Sequence, residues 1–424
     1  MIDLRRREFL FGAAASLVLR GKAKTGPRIY RAIGSAVVGK PLPEWHPGEL
    51  ELHFVYTGRG ENMLYVLPDG TSVVNDVGDY WREEERAEIP WLPSAERLGG
   101  DCMADYVIRR LKRPYVDYLL LSHWHSDHAG DPACGTRKAA DGRDICGIPL
   151  FNESVGIGVF IDHQYPRRGQ YGGGDVESRV MIEEWLAAKR IRQEPFRVGA
   201  LGQIALKHDP DGRYAGTFSV RNVCANAVCW TGRDDETVDY GAIHVKATGK
   251  NEICNQNILS MGFVMRYGNF SYWCGGDVSS RLVGMDGKSF DYEAVVGRVA
   301  GPVTVCKTNH HAFSDAMHEG FVREMQAAAY VSNVWCPLHI QDSNMRLMTS
   351  RTLYPGERMV FPTLVPKAAR KSWPDSPWWA DTAPGGHVVI KVAPGGETYR
   401  IFTVDAAKAD GTVTGEWMGV SGVT

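Results

Sequence analysis

His123-Trp124-His125-Ser126-Asp127-His128 sets three imidazoles and a carboxylate within six residues. Imidazole nitrogen and carboxylate oxygen are the donors that zinc and related divalent ions take, and hydrolysis at neutral pH is the chemistry such ions serve when one coordination position stays open. In an extended segment His123 and His125 project to the same side and can share one ion. Asp127 and His128, in the turn that follows, can reach a second ion close by. The expectation is a hydrolytic metal centre whose two sub-sites come from one loop.

The element that must position this loop is Tyr118-Leu119-Leu120-Leu121, an apolar run that reads as a buried strand ending at a sheet edge. Upstream, Glu51 to Phe54, Thr57-Gly58-Arg59-Gly60-Glu61, Asn62 to Leu67, Pro68-Asp69-Gly70 and Ser72 to Gly78 read as strand, glycine loop, strand, turn and strand. Downstream, Ser260 to Cys274 alternates as two strands joined at Tyr267-Gly268-Asn269, and Gly275-Gly276 then delivers Asp277 to the edge. Another apolar strand, Val303 to Lys307, leads through Thr308-Asn309 to His310-His311.

The His-x-His-x-Asp-His pattern behind an apolar strand resembles the signature of the metallo-β-lactamase superfamily. The glycine-loop opening, the Gly-Gly-Asp277 ending and the Lys307-x-x-His-His run are similar to one branch of it, which includes the hydrolase-like domain of DNA-uptake competence proteins and the phosphorylcholine esterases. The resemblance implies an α/β fold, an αββα sandwich with insertions, carrying its metals at one sheet edge. It implies two divalent ions, zinc first with manganese or iron as alternatives, on His123, His125, Asp127, His128, Asp277 and one of His310 and His311. Asp277 would bridge the ions, and Asp76 would hydrogen-bond and orient the metal loop.

Coordination would give a hydroxide between the ions as nucleophile, with Asp127, His311 and Lys307 as the groups acting at the reacting centre. His339, in Trp335-Cys336-Pro337-Leu338-His339, stands where the branch has a further cleft histidine. Ala312-Phe313 stand where it usually has glycine and serine, with Ser314-Asp315 following. Most superfamily members carry one more ligand histidine before the bridging aspartate. Here the candidates are His163 after Val159 to Ile161, His208, and His244 in a strand over Ala242 to Val245, and none is assigned. Within this class a phosphoester substrate leads. A β-lactam, lactone or other acyl substrate is the alternative, as is a non-catalytic cell-envelope binding protein on the same fold.

Composition sets the bounds. A chain of 424 residues with 44% hydrophobic content can bury a large core. A formal net charge of −2 carries no strong nucleic-acid signature; the basic runs Arg109-Arg110-Leu111-Lys112-Arg113 and Arg167-Arg168 read as solvated surface. Arg5-Arg6-Arg7-Glu8-Phe9-Leu10, followed by the weakly apolar Phe11 to Leu19, has the layout of a twin-arginine export signal, with a cut near Lys22-Ala23-Lys24. That apolar stretch is shorter than the roughly 20 residues a spanning helix needs, so a periplasmic or secreted protein with no other membrane span is expected.

Nine cysteines leave at least one unpaired. In an oxidising compartment Cys134 with Cys146, and Cys224 with Cys229, are the pairs considered, while Cys274 and Cys306 read as buried thiols. The organisation expected is a signal over 1–25, a linker with Pro41-Leu42-Pro43 over 26–48, a catalytic domain over 49–350 and a C-terminal part over 351–424. Within the catalytic domain, glycine-rich Gly169 to Gly174 precedes a helix from Val176 to Ile191 that would cover the cleft. The C-terminal part, with a tryptophan loop at Ser372 to Trp379 and a hairpin of His387 to Val392 with Glu397 to Val404, is expected as a small β appendage. The expected partner is a small-molecule or phosphoester substrate, and the oligomeric state stays open.

Overall fold

A computed structural model describes residues 28–422 except 33, 167–173, 251–252, 254, 280 and 409–410. The expected export signal, the Arg167-Arg168 pair and all but the end of the glycine-rich run lie outside the described residues.

Two large sheets carry the molecule. The first has ten strands, in the order Arg28–Arg31, Val413–Val420, Thr398–Val404, His387–Val392, Leu50–Phe54, Asn62–Val66, Ser72–Val77, Tyr115–Leu121, Gly156–Asp162 and Arg192–Pro195. The second has eight, in the order Thr237–Asp239, Val228–Trp230, Phe218–Ala225, Gly262–Tyr267, Phe270–Cys274, Val305–Lys307, Ala329–Ser332 and Met359–Pro362.

Side-chain alternation decides the layering. Tyr118 and Leu120 join Phe263, Met265, Tyr272, Val305 and Val331 in one core between the sheets. Their neighbours Leu119 and Leu121 turn the other way, onto Met103 and Val107 of the helix Gly99–Leu111 and Ile182 and Leu186 of the helix Val176–Ala188. On the second sheet Val264, Trp273, Cys306 and Tyr330 likewise meet Val296 and Phe321 of the helices Tyr292–Ala300 and Glu319–Met325. Period-two strands buried on both faces thus give helix, sheet, sheet, helix.

Each sheet is antiparallel on one side and parallel on the other. Ser72–Val77, Tyr115–Leu121, Gly156–Asp162 and Arg192–Pro195 run parallel, as do Phe270–Cys274, Val305–Lys307, Ala329–Ser332 and Met359–Pro362. The chain leaves these strands at one end, and every cluster residue below follows, or closes, one of them or lies at the start of its neighbour. The C-terminal ends of parallel strands are where open α/β sheets place ligands.

Three expectations need correction. The C-terminal hairpin forms, but His387–Val392 pairs along its length with Leu50–Phe54, so these strands lie inside the ten-stranded sheet and are no appendage. The expected linker contains an edge strand, Arg28–Arg31, antiparallel to Val413–Val420. His244 lies on a helix, Tyr240–Thr248, not a strand: Asp239 caps it by accepting from the Ala242 N–H at 2.7 Å, and Gly249 ends it in the left-handed region. Cys134, Cys146, Cys224 and Cys229 are free thiols, although Cys224 and Cys229 are register partners across a hairpin.

Candidate metal centre

The strand Tyr115–Leu121 delivers Ser122 and His123 to the edge, and a single helical turn, Ser126–Ala129, with His125 as its N-terminal cap position, turns Asp127 and His128 inward. His123 and His125 meet, Nε2 to Nδ1 at 3.0 Å, and the His123 and His128 rings lie 4.2 Å apart. Asp76 holds the loop from behind, accepting from the Ser122 N–H at 2.7 Å and pairing with His128 Nδ1 at 3.0 Å. Asp76 takes a left-handed φ of 62°, which Asp tolerates better than bulkier residues.

Asp277 comes from the other sheet, after Phe270–Cys274 and the glycine pair. Its Oδ2 lies 3.2 Å from His128 Nε2, 3.4 Å from His311 Nε2, 3.7 Å from His123 Nε2 and 3.9 Å from His310 Nε2. One oxygen thus faces four imidazoles, while Oδ1 is buried without a hydrogen bond.

The histidine pair is resolved by geometry. His310, His311 and Ala312 all have positive φ, 42°, 52° and 63°, and this tight turn sends the two rings apart. His311 Nε2 lies 3.1 Å from Asp127 Oδ2, and its Nδ1 meets the Asn333 carbonyl at 3.0 Å and Glu61 Oε2 at 3.2 Å. His310 instead pairs with Asp315 and with Asn257, and lies at the edge of the cluster. Ala312 occupies, in the left-handed region, the position where the resemblance expects glycine. His339 stacks on His311 with ring centroids 4.6 Å apart and planes 5° from parallel, and the Trp335 indole nitrogen lies 3.2 Å from His311 Nε2.

Lys307 requires a correction. Its side chain is wholly buried, with Nζ donating to the Gly276 carbonyl at 2.7 Å and lying 2.9 Å from Glu61 Oε1 and 3.7 Å from Asp277 Oδ1. Pointed at the protein's own carboxylates, it does not meet charge developing on a substrate. Glu61 is the residue that sequence reasoning passed over. Its donor atoms fall within one candidate cation group with His128, Asp277 and His311. The signal available was an acid opening a strand, Asn62–Val66, in which every residue is buried.

His163, His208 and His244 do not join this group. His163 pairs with Asn226 at 2.6 Å, His208 with Asp117 at 3.1 Å, and His244 accepts from the Val283 N–H at 3.0 Å. Aromatic side chains wall the near side, with Trp335 edge-on to Tyr80 at 5.3 Å and Phe313 edge-on to His310 at 5.5 Å.

Protonation follows the same map. Burial, then His128, keeps the His123 imidazole neutral, well below the usual histidine range. Burial would do the same to His128 and His311, but Asp277 first, with Asp127 and further carboxylates, holds both well above it. In return, burial notwithstanding, His128 keeps Asp127 ionised and His311 keeps Asp277 so. Positive charge is what these carboxylates bind, and a divalent cation is the alternative to protons at the same place.

No protein-family profile matches the chain, and no curated protein matches it in sequence. Solved structures of similar shape include a protein of Parabacteroides distasonis whose description suggests a metal-dependent hydrolase, at TM-score 0.33 and 10% identity over 73% of this chain and 92% of that one. Another is zinc-bound PqqB from Methylobacterium extorquens, at 0.33 and 8% over 80% and 98%. A third, from Enterococcus faecalis, has no assigned function and aligns at 0.29 and 9% over 79% and 73%. At such scores a likeness says nothing about function, and the site must be read from its own residues.

Proposed function

We propose that the chain is a metal-dependent hydrolase with a dinuclear centre of the metallo-β-lactamase type, acting on phosphoester substrates. The observation that carries this is the single Asp277 oxygen set among His123, His128, His310 and His311. The donor set fits a metal pair. Buried Glu61 and Asp277, with part-buried Asp127, face one buried ammonium, Lys307, and divalent cations would balance that negative charge in place of the protons on His128 and His311. Asp277 Oδ1, buried without a hydrogen bond, is a further unsatisfied anionic atom.

His123, His125 and Asp277 would hold one ion, and Asp127, His128, His311 and Asp277 the other. Bound there, zinc or manganese would supply Lewis acidity and a water acidic enough to serve as nucleophile near neutral pH. The chain's own residues do the rest. Asp76 fixes the tautomer of His128, and the Asn333 carbonyl fixes that of His311. Trp335 and Phe313 shield one side of the cluster from water, and Asp315 orients His310 at its edge as a proton donor for a departing alkoxide.

Phosphoesters are preferred because two adjacent cations suit in-line displacement at phosphorus. We also propose export by the twin-arginine route, on the Arg5-to-Leu19 pattern. Among the described residues no helix is long and apolar enough to cross a membrane. The test is turnover by zinc- or manganese-loaded protein of bis-p-nitrophenyl phosphate beside a chromogenic β-lactam. Hydrolysis of the diester, lost in Asp277→Ala, is expected. Hydrolysis of the lactam alone would replace phosphoester by acyl substrates, and turnover of neither by protein holding two metals would favour a binding role.

A further inference from the structure

The geometry points to Glu61 and Lys307 as a positioning pair for the half of the metal centre built on His311, an inference that rests on the metal reading above. Glu61 is fully buried at the start of Asn62–Val66. One carboxylate oxygen lies 2.9 Å from Lys307 Nζ and the other 3.2 Å from His311 Nδ1. Its backbone N–H donates to the Asp127 carbonyl at 2.7 Å. One residue therefore touches two of the groups assigned to the second ion, Asp127 through its backbone and His311 through its side chain.

Lys307 closes the frame. Its ammonium donates to the carbonyl of Gly276, the residue before Asp277, and stands 3.7 Å from Asp277 Oδ1. The same charge that pairs with Glu61 thus also aims the bridging carboxylate. The Asn333 carbonyl takes the His311 Nδ1 hydrogen bond, and the Glu61 carboxylate 3.2 Å behind the same atom adds the negative charge that makes Nε2 the stronger electron donor to a cation. Glu61 makes no such contact with His123, His125 or Asp277, so removing its charge should act on the ion built on His311, whereas Lys307 also reaches Asp277, which the two ions share.

A buried ion pair that served stability alone would behave differently. Breaking it by removing one partner would be costly, and replacing both charges by neutral groups of similar shape would be tolerated. The experiment titrates Co²⁺ into metal-free wild type, Glu61→Gln and Glu61→Gln/Lys307→Met, following the visible ligand-field absorption. Urea unfolding of each metal-free chain reports folding. Wild type should take two equivalents. Glu61→Gln should weaken one of them by roughly 10- to 100-fold and leave the absorption of the other unchanged. The double variant should stay weakened at that site although its unfolding midpoint returns toward wild type, and it carries the test if the single variant does not fold. Two wild-type-like equivalents in the double variant, or equal weakening of both sites in Glu61→Gln, would overturn the pairing while leaving the metal reading in place. Wild type that takes up no Co²⁺ would overturn both.

Discussion

His310 and His311 are adjacent in sequence and separated in role by backbone alone. Three consecutive positive φ values turn His311 onto Asp127 and Asp277 and leave His310 at the rim. His311→Ala should therefore weaken the second metal equivalent by about 100-fold or more, whereas His310→Ala should keep both equivalents and lower only turnover; equilibrium dialysis with elemental analysis separates the two. Gly78 is a second case of backbone dictating residue. A Cβ there would stand 2.0 Å from the Asp127 carbonyl and 2.7 Å from the Glu61 nitrogen. Gly78→Ala should cost about 1–3 kcal/mol in urea unfolding and reduce metal uptake, because the metal loop must move to admit the methyl. At this scale the sequence told much. His123, His125, Asp127, His128 and Asp277 lie close together in the fold, with Asp76 behind them. Glu61 was not legible because its partners, Lys307 and His311, lie far along the chain, and nothing local distinguishes a buried acid from a loop acid. Lys307 was legible as a residue but not in direction, since only the fold shows that its ammonium points inward.

Between elements, the buried polar link at Glu51 does for the far side of the sheet what Asp76 does for the metal loop. Glu51, on Leu50–Phe54, pairs with Arg110 of the helix Gly99–Leu111 and lies 2.7 Å from Lys391 of His387–Val392 and 2.9 Å from His53. Burial would raise its pKa, yet His53 and then Arg110 hold it well below the usual carboxylate range. A carboxylate depressed in the folded state contributes stability above its ordinary value of 4.5, lost as pH falls toward the folded value. Glu51→Ala should cost about 3–5 kcal/mol at pH 7 and less at pH 3, where part of the stabilisation is already lost, a difference that urea titrations at the two pH values will show. This link also explains why the C-terminal hairpin was misplaced. Alternation and the Pro394-Gly395-Gly396 turn make His387 to Val404 readable as a hairpin, but its pairing with Leu50–Phe54 is non-local and leaves no mark in either segment. Around His244 the short apolar run was ambiguous, and the Asp239 cap and Gly249 stop decide for a helix.

Across the whole molecule, two sheets each contribute one side of the cluster, so the site exists only once the sandwich closes. His123 to His128 and Asp76 come from the first sheet, and Asp277, Lys307 and His311 from the second. Metal binding should accordingly stabilise the closed sandwich, and it should do so with a defined pH dependence. His128 and His311 are held above the ordinary histidine range by the carboxylates they face, so cation binding must expel their protons. Affinity should rise with pH until those protons are gone, and calorimetry in buffers of differing ionisation enthalpy should show proton release on Zn²⁺ binding; pH-independent affinity without release would contradict this. The most direct test is metal stoichiometry. Metal-free protein equilibrated with Zn²⁺ and dialysed should retain two ions per chain, falling to one or none in Asp277→Ala with the fold intact by circular dichroism. Wild type that retains no ion, or Asp277→Ala that still retains two, would contradict the assignment of this cluster as a dinuclear centre.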